Sequence, residues 1–306
     1  MTLEELVVLA HTARGVGAST LTTLLHGLQS QCMVPDDLLR LSYREIQERF
    51  RLSTHAAGGL AHALARKRHA ARHLLERLAA LDVTIITCLD AAYPQALIET
   101  MSDPPPVLYA RGDLSLLRRR LICLANSHGC PADRSRIAEQ ALERAVEAGF
   151  VPVTGHNRPE YQLPALVARR RAVPVCYVLD RGLLEVGQGK EPLPPFRAAR
   201  IWSQSAEQRD LVISPFAPSA PYVPGSNRQR DGVIVGLATC VLASYLRPDG
   251  NMAALLTHAG RARKRIGWLG NADELPEAIR SLPDLAVLGT DGNAALGPWL
   301  TASLTI

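Results

Sequence analysis

Apolar residues recur at helical spacing through the first 80 or so positions. Leu3, Leu6, Val7 and Leu9 share one face, then Arg14-Gly15-Val16-Gly17 interrupts the pattern. Leu21, Leu24, Leu25 and Leu28 resume it, with Ser19 or Thr20 as candidate cap. A further helix is predicted over about 43–50 and a longer one over about 54–81, with Ser53 or Thr54 as its cap. From about Asp82 the period changes. Short apolar runs now alternate with amphipathic stretches: VTIITC (83–88), PVLYA (106–110), LICLA (121–125), FVPVT (150–154), VPVCYVL (173–179), LVIS (211–214), ATCVLASYL (238–246) and RIGWL (265–269). Helical patterns fall between several of them, at 134–148, 163–171, 232–237 and 252–259. This alternation predicts an α/β fold, a mostly parallel sheet with helices on both faces. Residues 187–200 are rich in Gly and Pro and predict a loop or insertion.

At 306 residues the chain is long enough for two ordinary domains. Its 47% hydrophobic and 21% charged residues are globular composition. No run approaches the ~18 apolar residues of a membrane helix, and the acidic start MTLEELVVLAHTARG does not resemble a signal peptide. Four cysteines, Cys88, Cys123, Cys176 and Cys240, sit inside apolar runs as small hydrophobes, and Cys32 and Cys130 complete the set without any C-x-x-C pair. The expectation is a reduced, cytoplasmic protein.

Charge narrows the picture. The formal net charge is +5, and of 34 basic residues only Lys67, Lys190 and Lys264 are lysines. Arginine forks match phosphate geometry, so a phosphate-bearing partner is one reading. A codon bias toward arginine is the other. Gly15-Val16-Gly17 between two helices has the form of a helix-hairpin-helix turn, which brings backbone N–H groups to a phosphate; a tight turn in a helical bundle accounts for it equally. His69 and His73 stand at i, i+4, the spacing of a metal pair, but their neighbours are cationic and no carboxylate supports them. Arg118–Arg120 precedes a strand at its N-terminal edge and Arg169–Arg171 closes a helix; both suit surface charge. No G-x-S-x-G, H-E-x-x-H or P-loop occurs.

The most specific string is Tyr93-Pro94 followed by Asp103-Pro104-Pro105-Pro106-Val107-Leu108-Tyr109-Ala110-Arg111-Gly112-Asp113-Leu114. Its prolines impose an extended entry to a short strand. The string closely resembles the D-P-P-x-V-L-Y/F-x-R-G-D/N-L signature of the DNA processing protein A family. The order of a small helical domain before an α/β domain is also similar. The resemblance runs from about residue 3 to 270. It implies a Rossmann-like domain over 81–288, a helical domain of helix-hairpin-helix or SAM-like type over 1–80, and a short tail over 289–306 in place of the winged-helix-like module that often closes the family. It further implies single-stranded DNA binding, loading of a RecA-type recombinase in natural transformation, a homodimer, and no enzyme activity, cofactor or metal.

The family's phosphate contacts lie in a G-S-R turn, an S-G-x-A-x-G-I-D turn and an R-N-R segment. Here Asn126-Ser127-His128 follows the first core strand, so serine matches while asparagine and histidine replace glycine and arginine. Thr154 and Gly155 fit the second turn, with Arg158 nearby. Arg228 and Arg230 fall at the third, where Asp231 and Gly232 depart from the pattern. Gly250 and Asn251 stand where the family has S-G-S. These ten residues, Asn126 through Asn251, form the predicted nucleic-acid site. Arg261, Arg263, Lys264 and Arg265 are further cationic candidates, and His128 and His156 both follow core strands. Because the ligand motifs are eroded, an alternative stays open: a repurposed nucleotide-sensing or partner-binding module. The P-G-G-x-G-T-x-x-E string of phosphoribohydrolases is absent.

Overall fold

The computed structural model describes residues 1–186, 209–290 and 293–302, so the predicted loop over 187–200 lies outside the described residues. Five helices open the chain: α1 (Leu3–His11), α2 (Ala18–Ser30), α3 (Tyr43–Arg49), α4 (Thr54–Arg66) and α5 (Arg68–Ala79). Side chains start three of them. Thr2 accepts from the Glu5 N–H, Ser42 and Glu45 form a reciprocal capping box, and Ser53 accepts from Ala56 N–H. The predicted Ser19 or Thr20 cap is not used, because α2 begins two to three residues earlier, with Gly17 at the cap position and no side-chain cap.

The long helix predicted over 54–81 is two helices. The chain turns at Lys67 (φ −115°, ψ 6°) and α5 lies against α1, burying Ala71 and Leu78. No glycine or proline marks the break. The short apolar spine of α1, Leu6 to Ala10, is buried on all sides and takes α5 as cover.

The apolar runs become strands: β1 (Thr84–Thr87), β2 (Val107–Gly112), β3 (Leu121–Leu124), β4 (Val151–Thr154), β5 (Cys176–Val178), β6 (Leu211–Ser214), β7 (Cys240–Ala243) and β8 (Arg265–Trp268). A further strand, β9 (Leu285–Val287), pairs parallel to β8. They form one sheet in the order β1-β2-β6-β5-β4-β3-β7-β8-β9. β3 to β9 are parallel, and β2 joins β6 and β1 antiparallel. This is a Rossmann-like α/β fold, as predicted. From β3 the chain steps one way to β4, β5 and β6, then returns to the other side of β3 for β7. Such a reversal opens a crevice at the carboxyl ends of the strands.

Alternate residues of each strand feed opposite faces. Leu108, Cys123, Val153, Cys176, Ile213 and Val241 pack under α6 (Gln95–Thr100), α10 (Ser226–Leu237) and α11 (Asn251–Arg261). On the other face, Ile122, Leu124 and Leu242 meet α7 (Ala132–Glu147) and α13 (Asn293–Thr301), two short helices, α9 (Leu183–Val186) and α12 (Glu277–Arg280), lying between them in sequence. The same face carries Val107, Tyr109, Tyr177 and Val212, which join α1–α5 and Ala165 and Ala168 of α8 (Pro159–Arg170) in a single apolar cluster. The helical region therefore shares its core with the sheet. His11 stacks on Tyr109 across this junction, with Nδ1 3.2 Å from the phenol oxygen, and burial lowers its pKa to about 4.

The segment predicted as a tail carries α13, whose Leu296 and Leu300 are buried and whose Trp299 lies under the Arg265 guanidinium. Cys123, Cys176 and Cys240 are buried, and desolvation pushes their thiols up. Among the described residues, no helix is long and apolar enough to cross a membrane.

Candidate nucleic-acid interface

The turns after β3, β4 and β7 meet at the carboxyl edge of the sheet. Asn126 ties two of them together. Its side-chain oxygen accepts from Ser244 N–H (2.8 Å) and Tyr245 N–H (3.2 Å), and its amide donates to Ser244 Oγ (2.8 Å). Ser127 adds a second tie, donating its own N–H to the Tyr245 carbonyl and accepting at Oγ from Arg247 N–H (3.0 Å). Both side chains are buried, so they build the turn rather than its surface. After β4, Thr154 donates to the Tyr161 carbonyl (2.8 Å) and holds the first turn of α8. A Cβ at Gly155 would press on Arg230 and Tyr161 at 3.2 Å, so glycine lets these side chains close over the strand end.

These turns border an open pocket of about 490 Å³. Asn126, Ser127, His128, Arg158, Arg228, Arg230, Gly250 and Asn251 all line it; Thr154 and Gly155 stand behind. The helices α8, α10 and α11 begin at Arg158, Gly225 and Gly250, and none has a side-chain cap. Their first turns reach the pocket through Arg158, Arg228 and Asn251. The positive ends of three helix dipoles favour an anion there, with Asp231 and Asp249 of the same lining opposing it.

The arginines divide into two kinds. Arg158, Arg228 and Arg247 are exposed and make no ion pair among the described residues. Arg247 was not singled out from the sequence; its signal is its place in the turn between β7 and α11. Arg230 is 1% exposed. Its Nε and NH2 donate to Asp231 Oδ1 (3.1 and 2.9 Å), NH1 reaches Asn157 Oδ1 (3.3 Å) and Asp180 Oδ2 (3.5 Å), and the guanidinium lies 4.2 Å over the Tyr161 ring. Tyr161 completes the cluster by donating its hydroxyl to Asp231 (2.9 Å). Burial pushes the Asp231 carboxyl up despite Arg230. Burial also opposes charge on Asp180, but hydrogen bonds from His156 and Arg181 outweigh it and hold that carboxyl well below its usual range.

The two histidines part company. His128 is exposed, with Nδ1 3.3 Å from Glu160, whose Oε1 also accepts from Gly129 N–H. His156 is buried against Asp180 at 3.3 Å and does not line the pocket. The other cationic candidates lie elsewhere. Lys264 is buried and donates to the carbonyls of Gly236 and Ala238 behind α10. Arg263 pairs with Asp284, and Arg265 donates to the Trp299 carbonyl. Arg170 and Arg171 bridge α8 to Glu139, Glu143 and Glu147 of α7, and Arg120 bonds the Ala148 carbonyl at the opposite edge of the sheet. Among the described residues no group of His, Cys, Asp and Glu is arranged to hold a metal; contrary to the sequence reading, a carboxylate does stand beside the His69/His73 pair, with Glu76 Oε2 3.7 Å from His73 Nδ1 one turn on. A second cavity of about 430 Å³ adjoins the pocket across Arg228, Asp231 and Asn251, with Met101, Val235 and Leu255 on its apolar side.

A family model described as DNA recombination-mediator protein A matches residues 84–248, which include the turns after β3 and β4 and most of the turn after β7, ending short of Gly250 and Asn251. The chain belongs to that family. No curated protein matches it. Among solved structures it is similar to DNA processing protein A from Streptococcus pneumoniae, with a TM-score of 0.73 at 15% identity over 94% of this chain and 95% of that one. It is also similar to DNA processing protein A from Helicobacter pylori, with a TM-score of 0.54 at 13% identity over 72% of this chain and 95% of that one. The latter structure is described for that protein's single-stranded DNA binding mode. At these identities the likeness is one of fold. Where the sequence analysis expects departures from the family's motifs, the side chains have local structural roles: Asn126 knits two turns together, and Asp231 accepts from the buried Arg230.

Proposed function

We propose that this family member binds single-stranded DNA at the carboxyl edge of the sheet, and that it acts in DNA recombination by presenting the strand to a RecA-type recombinase, as a homodimer in the cytoplasm of naturally transformable cells. The observation that carries the reading is the convergence, on one open pocket, of three guanidiniums that make no ion pair among the described residues with three helix starts that lack a side-chain cap. Successive phosphates lie along Arg158, Arg228 and Arg247, and Asn251 adds an amide. A base of the same strand has the adjoining cavity, where Met101 and Leu255 offer an apolar wall. Readout of sequence is slight, because the permanent charges address the backbone.

The test is fluorescence anisotropy with a labelled oligo-dT across a salt series, with duplex as control. Each phosphate contact on a single strand contributes about −0.7 to the slope of log K against log salt. Substituting Arg158, Arg228 and Arg247 together by Ala is expected to flatten the slope by about 2. A triple variant that binds with the parent's slope refutes the reading.

A further inference from the structure

The glycine hairpin between α1 and α2 plays no part in the strand-edge pocket. Gly15 is left-handed (φ +79°), and a Cβ there would sit 2.4 Å from the His55 ring. At Gly59 a Cβ would lie 1.8 Å from the Arg14 carbonyl oxygen. The hairpin backbone thus rests directly on the backbone of α4, a contact that only glycine allows. It sets Arg14 beside the outward face of α4, where His55, Gly58, Gly59 and His62 recur at helical spacing. Lys67 follows at the end of that helix.

These six residues border an open concavity of about 460 Å³. Arg14, His55, His62 and Lys67 are exposed, and no carboxylate lines the space. Arg14 and Lys67 have no ion-pair partner among the described residues. Glu5, buried nearby on α1, is taken up by Arg68 (3.8 Å) and Arg72 (3.4 Å). The floor at Gly58 is bare backbone, with nothing within 4 Å of where a Cβ would stand. Two permanent cations and two imidazoles therefore surround a flat, accessible patch. Such spread charge suits a chain of phosphates more than one small anion, since no set of N–H groups converges on a point.

We propose that this surface is a second nucleic-acid contact, which takes the phosphodiester backbone independently of the strand-edge pocket. It uses none of the pocket residues, so the two readings stand or fall apart.

The experiment measures binding of the full chain to a labelled 40-nucleotide single strand and to a 40-base-pair duplex, for the parent, for Arg14→Glu/Lys67→Glu, and for each combined with the triple pocket variant. Arg14→Gln/Lys67→Gln, gentler on packing, is run alongside, and melting temperatures check the fold. The expected result is about tenfold weaker binding at 50 mM salt and a single-strand salt slope flatter by about 1.4, with residual binding of the triple pocket variant abolished. A loss confined to duplex, or to single strand, names which nucleic acid the surface holds. Unchanged affinity and slope for both nucleic acids in both variants overturns the proposal. If the pocket reading alone is wrong, the triple variant matches the parent while Arg14→Glu/Lys67→Glu still weakens binding.

Discussion

The sequence motif leads to the expectation that Arg230 binds phosphate, yet its side chain is 1% exposed and surrounded by partners. Arg230→Met keeps the length of the stem and removes the charge. Asp231 then loses the arginine that hydrogen-bonds it and keeps the Tyr161 hydroxyl, whereas Asp180 retains His156, Asn157 and Arg181. Removing one member of a buried pair costs about 3–5 kcal/mol. The surviving partners of Asp180 place the expected loss near the low end, about 3 kcal/mol. For a chain of 306 residues, at about 2.1 cal/mol/K of unfolding entropy per residue, that is a fall in Tm of roughly 5 °C. Adding Asp231→Asn removes the orphaned charge and should restore part of the loss. Thermal melting followed by circular dichroism measures both. DNA binding supplies the decisive contrast: at a temperature where Arg230→Met is folded, its salt slope should equal the parent's. A Tm within 1 °C of the parent, or a slope flatter by about 0.7, would refute this reasoning and return Arg230 to phosphate binding.

Two further outcomes test the frame around the sites. Asp210 is buried and accepts from Val175 N–H (2.7 Å); burial raises its pKa from 3.8 to about 6, with that N–H and Arg169 pulling the other way. An acid raised on folding contributes stability that is complete below pH 3.8 and is lost as pH rises through 6. Asp210→Asn should therefore exceed the parent in stability at pH 7.5 by roughly 1–3 kcal/mol, with the gap closing toward pH 4 in urea titrations. A constant gap across that range would show that the carboxyl does not titrate there. Gly58 and Gly59 should respond in opposite directions to alanine. Gly58→Ala faces open space and should gain about 0.5–1 kcal/mol of stability. Gly59→Ala meets the Arg14 carbonyl and should lose about 1–3 kcal/mol, and equal melting of the two variants would contradict the hairpin packing.

Much of the fold was legible because buried strands are apolar runs. Seven of the eight strands β1 to β8 fall within such a run, and β2 (Val107–Gly112) continues two residues past its run, through Arg111 and Gly112. β9 does not stand out, since its Leu285, Ala286 and Val287 are only half-buried or exposed at the edge of the sheet. The break at Lys67 was hidden for another reason: it answers to the packing of α5 on α1, and local propensity there favours one continuous helix. At the site, strand ends and their turns could be found by pattern, which is why eight of the ten predicted residues line one pocket. What side chains do inside it could not. Asp180 and Arg230 lie 50 positions apart, and only the fold makes them partners.

Among the described residues one apolar cluster joins α1–α5 to the sheet, so the hairpin surface and the strand-edge pocket stand on a common core. With that core intact, the two surfaces act as the jaws of a caliper. A nucleic acid that touches both surfaces gains effective concentration only when its length spans a set gap, and below that length the second surface adds nothing. Footprint length is thus a property of the core, written in Tyr109, Tyr177 and the helices that cover them.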